Sequence, residues 1–285
     1  MIPETDGIYS GIDDAEYHAD RNSLSVSGAR VLLQAPAKFR HQLDHPQPSS
    51  GVFEFGSVAH KLVLGEGAEI VEVQADSWRT KAAQQARDEA RAAGRIPILS
   101  GDLARARAMA EATLSHPIAG KLFEHGAAEQ SIYATDQVTG VRLRGRADWL
   151  TETDGEPVIV DYKTSTTANP SELVRKFHSL GYHMQAAWYI DLCEAVGIPG
   201  PRFLFVVTEK DPPFLTTVVE YEQDAIAYAR HLNRRAIDVY AECVERDEWP
   251  AYTDEIHVLS LPPWARSDAD NIAAETLIAE LEELL

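Results

Sequence analysis

VRLRGRADWLTETDGEPVIVDYKTS, residues 141–165, decides the fold. Thr153-Asp154-Gly155 is a turn signal between two strand-like runs. It predicts a hairpin, with strands over 141–150 and 157–163. The second run buries Val158, Ile159 and Val160, then ends on Asp161, Tyr162 and Lys163. Alternation along a strand sets Asp161 and Lys163 on the same face. Asp148 lies near the end of the first strand, so the hairpin brings two carboxylates to one place. Paired carboxylates on adjacent strands form a hard-oxygen site suited to Mg²⁺ or Mn²⁺. Lys163 is then placed to position a water or to stabilise developing phosphoryl charge. The competing reading is a structural ion pair between Asp161 and Lys163 at a strand end.

Outward from the hairpin, EQSIYAT (129–135) is a third strand and 136–140 a turn, which makes the region an antiparallel meander. Glu129 opens it and can add a carboxylate. Residues 171–196 read as two helices broken near Gly181 and closed by Gly197. RFLFVVT (202–208) and LTTVVEY (215–221) flank Asp211-Pro212-Pro213 as a second hairpin. A long helix follows over 223–246 and an acidic amphipathic helix over 268–285. Before the meander, Ser25 or Ser27 caps a helix through Leu33, and Pro36 starts another. FEFGSVAHKLVL (53–64) is helical, as are 80–94 and 101–115. The order reads as a mixed sheet with helices on both sides, α/β or α+β.

The chain has 285 residues, 45% hydrophobic and 25% charged, which suits one large domain over 1–285 and excludes compositional disorder. No apolar run reaches the length of a membrane span. The opening MIPETDGIYSG lacks a basic-then-apolar leader, and the expected location is cytoplasmic. Cys193 and Cys243 alone cannot supply four thiolates, and they are expected to stay reduced. The net charge of −19 argues by itself against a nucleic-acid partner. The charge is uneven, however: residues 79–107 hold seven Lys/Arg and three Asp/Glu. Arg79 and Lys81 open that basic stretch, which is either an arch facing nucleic acid or a solvated helix. No phosphate loop of the GxxxxGK[ST] type, no GxGxxG after a strand and no GxSxG elbow occurs.

Several side chains around the carboxylates carry two readings. Arg142, Arg144 and Arg146 alternate with Asp148 along one strand face, for phosphate contact or for carboxylate pairing. Thr164, Ser165 and Thr166 can meet phosphate oxygens or form an ordinary polar strand exit. Gln185 and Tyr189 are four apart, hence on one helical face, beside a phosphate or packed inward. His60, on a mostly apolar helix, is a buried histidine or a ligand.

LSVSGARVLLQAPAKF, FGSVAHKLVLG, VRLRGRADWL, VIVDYKTS and GYHMQAAWY, with the WPAY and LPPW tail, are jointly specific in this order. Together they resemble the PD-(D/E)XK nuclease superfamily, and within it the RecE-type, exodeoxyribonuclease VIII-like exonucleases of phages and prophages. The likeness runs from about Tyr17 to Trp264. It implies a restriction-endonuclease-like core over 126–221. Around it come a mainly helical part over 1–125, with His60 and a basic arch over 79–107, and C-terminal helices over 222–285. It implies Asp148, Asp161 and His60 as ligands of Mg²⁺, with Mn²⁺ as substitute, and Lys163 as the catalytic lysine. Gln185 and Tyr189 become the Q-x-x-x-Y pair. It further implies an exonuclease on double-stranded DNA ends, digesting 5′ to 3′ beside a single-strand annealing protein, and a homo-oligomer, a ring. Ala147 stands where the superfamily name has proline.

Overall fold

Val158, Val160 and Tyr162 are buried against one layer of helices, and Ile159 between them against the other. A strand covered on both faces must belong to the middle of a sheet. The computed structural model describes residues 2–45, 54–263 and 265. It divides the chain into two compact units, Met1–Trp249 and Pro250–Leu285.

The first unit opens with β1 (Gly7–Tyr9), α1 (Asp14–Ala19), β2 (Leu24–Ser25), α2 (Val26–Gln34) and α3 (Pro36–Asp44). Next come α4 (Glu54–Leu64), β3 (Ile70–Val73), α5 (Lys81–Ala92), β4 (Ile96–Leu99), α6 (Ser100–Leu114) and α7 (Ala119–Glu124). The meander is β5 (Ala127–Thr135), β6 (Arg142–Thr153) and β7 (Glu156–Ser165). Then follow α8 (Pro170–Leu180), α9 (Tyr182–Ala195), β8 (Arg202–Glu209), β9 (Thr216–Glu220) and α10 (Gln223–Arg246).

The main sheet runs β1-β5-β6-β7-β8-β9, with β2 added beside β6. The β7–β8 and β2–β6 pairs are parallel and the rest antiparallel. One core lies between the sheet and α2, α9 and α10, and includes Leu32, Ile159, Trp188, Phe205 and Ile237. The other lies on the α4, α6 and α7 side, and includes Val63, Met109, Leu122, Val160 and Tyr162. This is the mixed sheet with helices on both sides that the element order predicts.

Local chemistry sets the helix ends. Ser25 caps α2 by accepting from the Gly28 amide at 3.3 Å. Asn169 caps α8, Pro170 takes its first turn, and Gly181 ends it with φ 67°. The elements that periodicity does not reveal are short. β1, β2, β3 and β4 have two to four residues each, too few to show a repeat. The part over 1–125 is therefore less purely helical than its sequence predicts, because β1 and β2 join the main sheet and β3 pairs with β4.

β6 is longer than either neighbour on its inner edge. It pairs with β7 from Trp149 to Thr153, and with β2 at Leu143 and Arg144. Between these contacts β6 and β7 part, and α9 fills the opening. Trp188 Nε1 donates to the Arg144 carbonyl at 3.0 Å. Tyr189 Oη donates to the Arg146 carbonyl at 2.9 Å and accepts from the Arg146 amide at 3.1 Å. Gly145 makes the approach possible, since a Cβ there would stand 2.8 Å from Leu192.

In the second unit, the described residues 250–263 include no strand and are exposed, Ile256 and Val258 among them. The acidic helix predicted over 268–285, and Trp264, lie outside the described residues. Among the described residues no helix is long and apolar enough to cross a membrane.

Candidate active site

Asp161 leaves β7 just where the strand separates from β6. Its side chain is almost fully buried, on the α9 side of the sheet. Oδ1 accepts from Gln185 Nε2 at 2.6 Å, one helical turn before Tyr189. Oδ2 forms an ion pair with Lys163 Nζ. Gln185 and Lys163 thus occupy one carboxylate oxygen each. Burial pushes Asp161 up to about 6, with the Asp148 charge adding to the rise and Lys163 opposing it. Burial disfavours the Lys163 ammonium, yet Asp161 and Asp148 hold its pKa above the ordinary lysine value. At neutral pH the pair is charged.

The backbone of Tyr162 fixes the second carboxylate. Its amide donates to Asp148 Oδ2 at 2.8 Å. Its carbonyl lies 2.7 Å from His60 Nε2, which must be the donor because a carbonyl only accepts. His60 Nε2 is also 3.7 Å from Asp148 Oδ2. The Tyr162 ring points into the opposite core, where Thr113 and Thr208 link α6 to β8 beneath it. Glu129 stands in β5 with φ 50°. Burial first, then the Asp148 charge, pushes it up to about 7. Asp148 thus lies within electrostatic reach of Glu129 on one side and of Asp161 on the other.

The fold gathers His60, Glu129, Asp148, Asp161, Lys163 and Gln185. It turns other candidates elsewhere. Tyr189 gives its hydroxyl to both backbone groups of Arg146, so it substitutes for a missing strand partner instead of facing the carboxylates. The three arginines of β6 face the N-terminal segment, not an open surface. Arg142 reaches Asp6 and the Thr5 carbonyl. Arg144 is buried on Asp20 at 3.2 Å and on the Ser23 carbonyl at 2.9 Å. Arg146 meets Ser131, Asp14 and the Ile12 carbonyl, with the Tyr17 ring 4.1 Å away. Strand alternation predicts their shared face correctly but not the segment that covers it. Ser165 is buried and accepts from Lys176 Nζ at 2.8 Å, and Thr166 does so at 3.3 Å. Thr164 Oγ1 lies beside Gly56 of α4. Arg79 and Lys81 stand exposed at the start of α5, which packs on β3 and β4.

Two features escape sequence reasoning. The Tyr162 peptide is a contact point that no side-chain pattern encodes. Tyr182 lies with its ring centre 5.2 Å from Lys163 Nζ, and its only signal is its place directly after Gly181.

Residues 25–262 match the family described as "PDDEXK-like domain of unknown function" (DUF3799). The chain belongs to this PDDEXK-like family. The match spans the cap of α2, His60, both aspartates and the Q-x-x-x-Y helix. A solved structure from Eubacterium rectale, described as "Putative exonuclease", superposes with a TM-score of 0.57. It is 14% identical, with 89% of this chain and 96% of that chain covered, and shows the same fold. A second solved structure, SSO0001, is 15% identical with a TM-score of 0.36 and 77% of each chain covered, too low to carry an argument. No curated protein matches this chain.

PDDEXK nucleases generally use divalent metals, and the donor set here fits one. Asp148 coupled to Glu129 and to Asp161 is hard-oxygen chemistry. Among the described residues, though, no three His, Cys, Asp or Glu side chains converge as a preformed cage. The reason is local. His60 and Asp148 are held by the Tyr162 peptide, and Asp161 by Lys163 and Gln185.

Proposed function

We propose that this PDDEXK-like chain is a divalent-metal-dependent deoxyribonuclease that degrades linear duplex DNA from its ends. The observation that carries this is the cluster at the opening of β6 and β7: two aspartates on adjacent strands, with Lys163 two residues beyond Asp161. Asp148 and Asp161 would hold the cation, with His60 and Glu129 beside them. Mg²⁺ is the proposed ion and Mn²⁺ its substitute. When bound, it supplies Lewis-acid polarisation of the scissile phosphate.

The chain's own residues do the rest. Gln185 fixes the Asp161 carboxylate through Oδ1, and a cation would take Oδ2 by displacing the Lys163 ammonium from it. Lys163, kept protonated by the surrounding carboxylates, is placed to donate to a non-bridging phosphate oxygen and to orient the attacking water. The Tyr162 peptide holds Asp148 and His60 in register with it. The basic arch, with Arg79 and Lys81, is proposed as a DNA-facing surface. Digestion from 5′ to 3′, supply of 3′ tails to a single-strand annealing protein, and assembly into a ring complete the proposal. A ring would let a basic channel coexist with the −19 net charge.

The test is digestion of linear and covalently closed circular duplex with Mg²⁺, beside Asp148→Asn. Loss of the linear form alone, abolished in the variant, is the expected result. Equal cutting of the circle would mean an endonuclease, and an active Asp148→Asn would remove the site.

A further inference from the structure

The exit of β7 is flanked by Lys176, Lys163 and Arg30, and Lys163 is paired with Asp161. Lys176 of α8 donates to the hydroxyls of Ser165 and Thr166, which accept its protons but leave its charge. Lys163 comes next along the same rim, then the Tyr182 ring. Beyond Tyr182 lies Arg30 of α2. It rests directly on Gly181, where a Cβ would fall 2.6 Å from Arg30 Nε and 3.2 Å from Cζ. Gly181 also has φ 67°, so glycine is needed there for two reasons. The Arg30 charge is felt by both Tyr182 and His183. Among the described residues no carboxylate pairs with Arg30 or with Lys176. Elsewhere Arg142, Arg144, Arg230 and Arg234 all find carboxylates. The site is thus polarised, with Glu129 and Asp148 on the β5–β6 side and cations on the α8–α9–α2 side.

We infer that Lys176, Lys163 and Arg30 form a track for the phosphodiester backbone of the strand being cut, with Arg30 and Lys176 as positioning residues for phosphates flanking the scissile one. The inference rests on the nuclease reading and adds the direction from which the polyanion is gripped. A polyanion cannot approach crowded carboxylates unaided, and cations left unpaired beside them offset that repulsion. The Tyr182 ring stacks on Phe205 and has Lys163 Nζ 5.2 Å from its centre, which holds that ammonium on the track.

The test uses the full chain and a labelled linear duplex, with binding read by fluorescence anisotropy in EDTA across a salt series. Arg30→Gln and Lys176→Gln should each weaken binding about 5–10-fold and flatten the slope of log Kd against log salt by about 0.7–0.9, the loss of one phosphate contact. In Mg²⁺ each should raise KM more than it lowers kcat. Arg30→Lys should restore the salt slope, which a merely structural role would not predict. The hydrogen-bond partners of Lys176 Nζ are the hydroxyls of Ser165 and Thr166, so its variant reports even if Arg30→Gln unfolds. Arg202→Gln, at the opposite end of the sheet on Glu220, should behave as wild type. Wild-type Kd and slope in both Arg30→Gln and Lys176→Gln, with wild type cleaving DNA, would overturn the track alone. A wild type that neither binds nor cuts DNA would overturn the nuclease reading and the track with it.

Discussion

β6 carries charged side chains with opposite fates. Arg142, Arg144 and Arg146 alternate along one half and are each met by acids and carbonyls of residues 3–23. Asp148 lies two residues further on, beside Glu129 and Asp161, and all three carry like charge. The arginines are matched locally and therefore hold the fold. The carboxylates are mismatched locally, and a structure tolerates that only where something else makes up the difference. Balance, rather than charge alone, separates scaffold from site.

The sharpest way to break this comparison is at the mismatched end. Asp161→Asn keeps the shape and removes the charge. DNA cleavage should fall by about 10³-fold or more, roughly 4 kcal/mol in the barrier. Its thermal unfolding should move little, because a crowded carboxylate has been neutralised. An active Asp161→Asn would place the chemistry elsewhere.

Arg144→Met probes the matched end. It leaves Asp20 buried without its partner, and unfolding in urea should show a loss of about 3–5 kcal/mol. DNA affinity per folded molecule should not change. If affinity falls while stability holds, Arg144 belongs with the site after all.

Tyr189→Phe comes next. It strips one hydroxyl from the amide and carbonyl of Arg146, and should destabilise by about 1–3 kcal/mol. Gln185→Leu, one turn earlier, should cost activity more than stability. Equal behaviour of the two would dissolve the distinction between them.

The smallest effect is in pH. Asp161 near 6 and Glu129 near 7 hold their protons to higher pH than ordinary carboxylates. A cation needs them ionised, so binding must displace those protons. Mg²⁺ or Mn²⁺ affinity should therefore rise with pH between about 5.5 and 7.5, by about tenfold per unit for each proton released, and level off above. Calorimetry in buffers of different ionisation enthalpy counts the protons. A flat profile would detach these carboxylates from the ion.

Much of this was legible before any coordinates. The hairpin over 141–165, the helix break at Gly181 and the long α10 follow from turn residues and periodicity. Asp148, Asp161 and Lys163 meet because antiparallel strands joined by a tight turn leave their ends no other place to go. Gln185 lies one face of a helix away from them, which spacing alone conveys.

What spacing cannot convey is which partner arrives first. Arg142, Arg144 and Arg146 read as phosphate contacts or as carboxylate partners, and residues 3–23 folding over them decide for the second. Tyr189 reads as half of a reactive pair until β6 and β7 diverge and leave Arg146 unsatisfied. The sequence by itself determined the β5–β6–β7 meander, its hairpin and the carboxylates it carries, since those depend on neighbours in the chain. Tertiary structure alone decided the rest, namely which cations are neutralised and which, like Arg30 and Lys176, are not. Electrostatic compensation depends on distance in space, and the compensating groups come from more than 100 residues away.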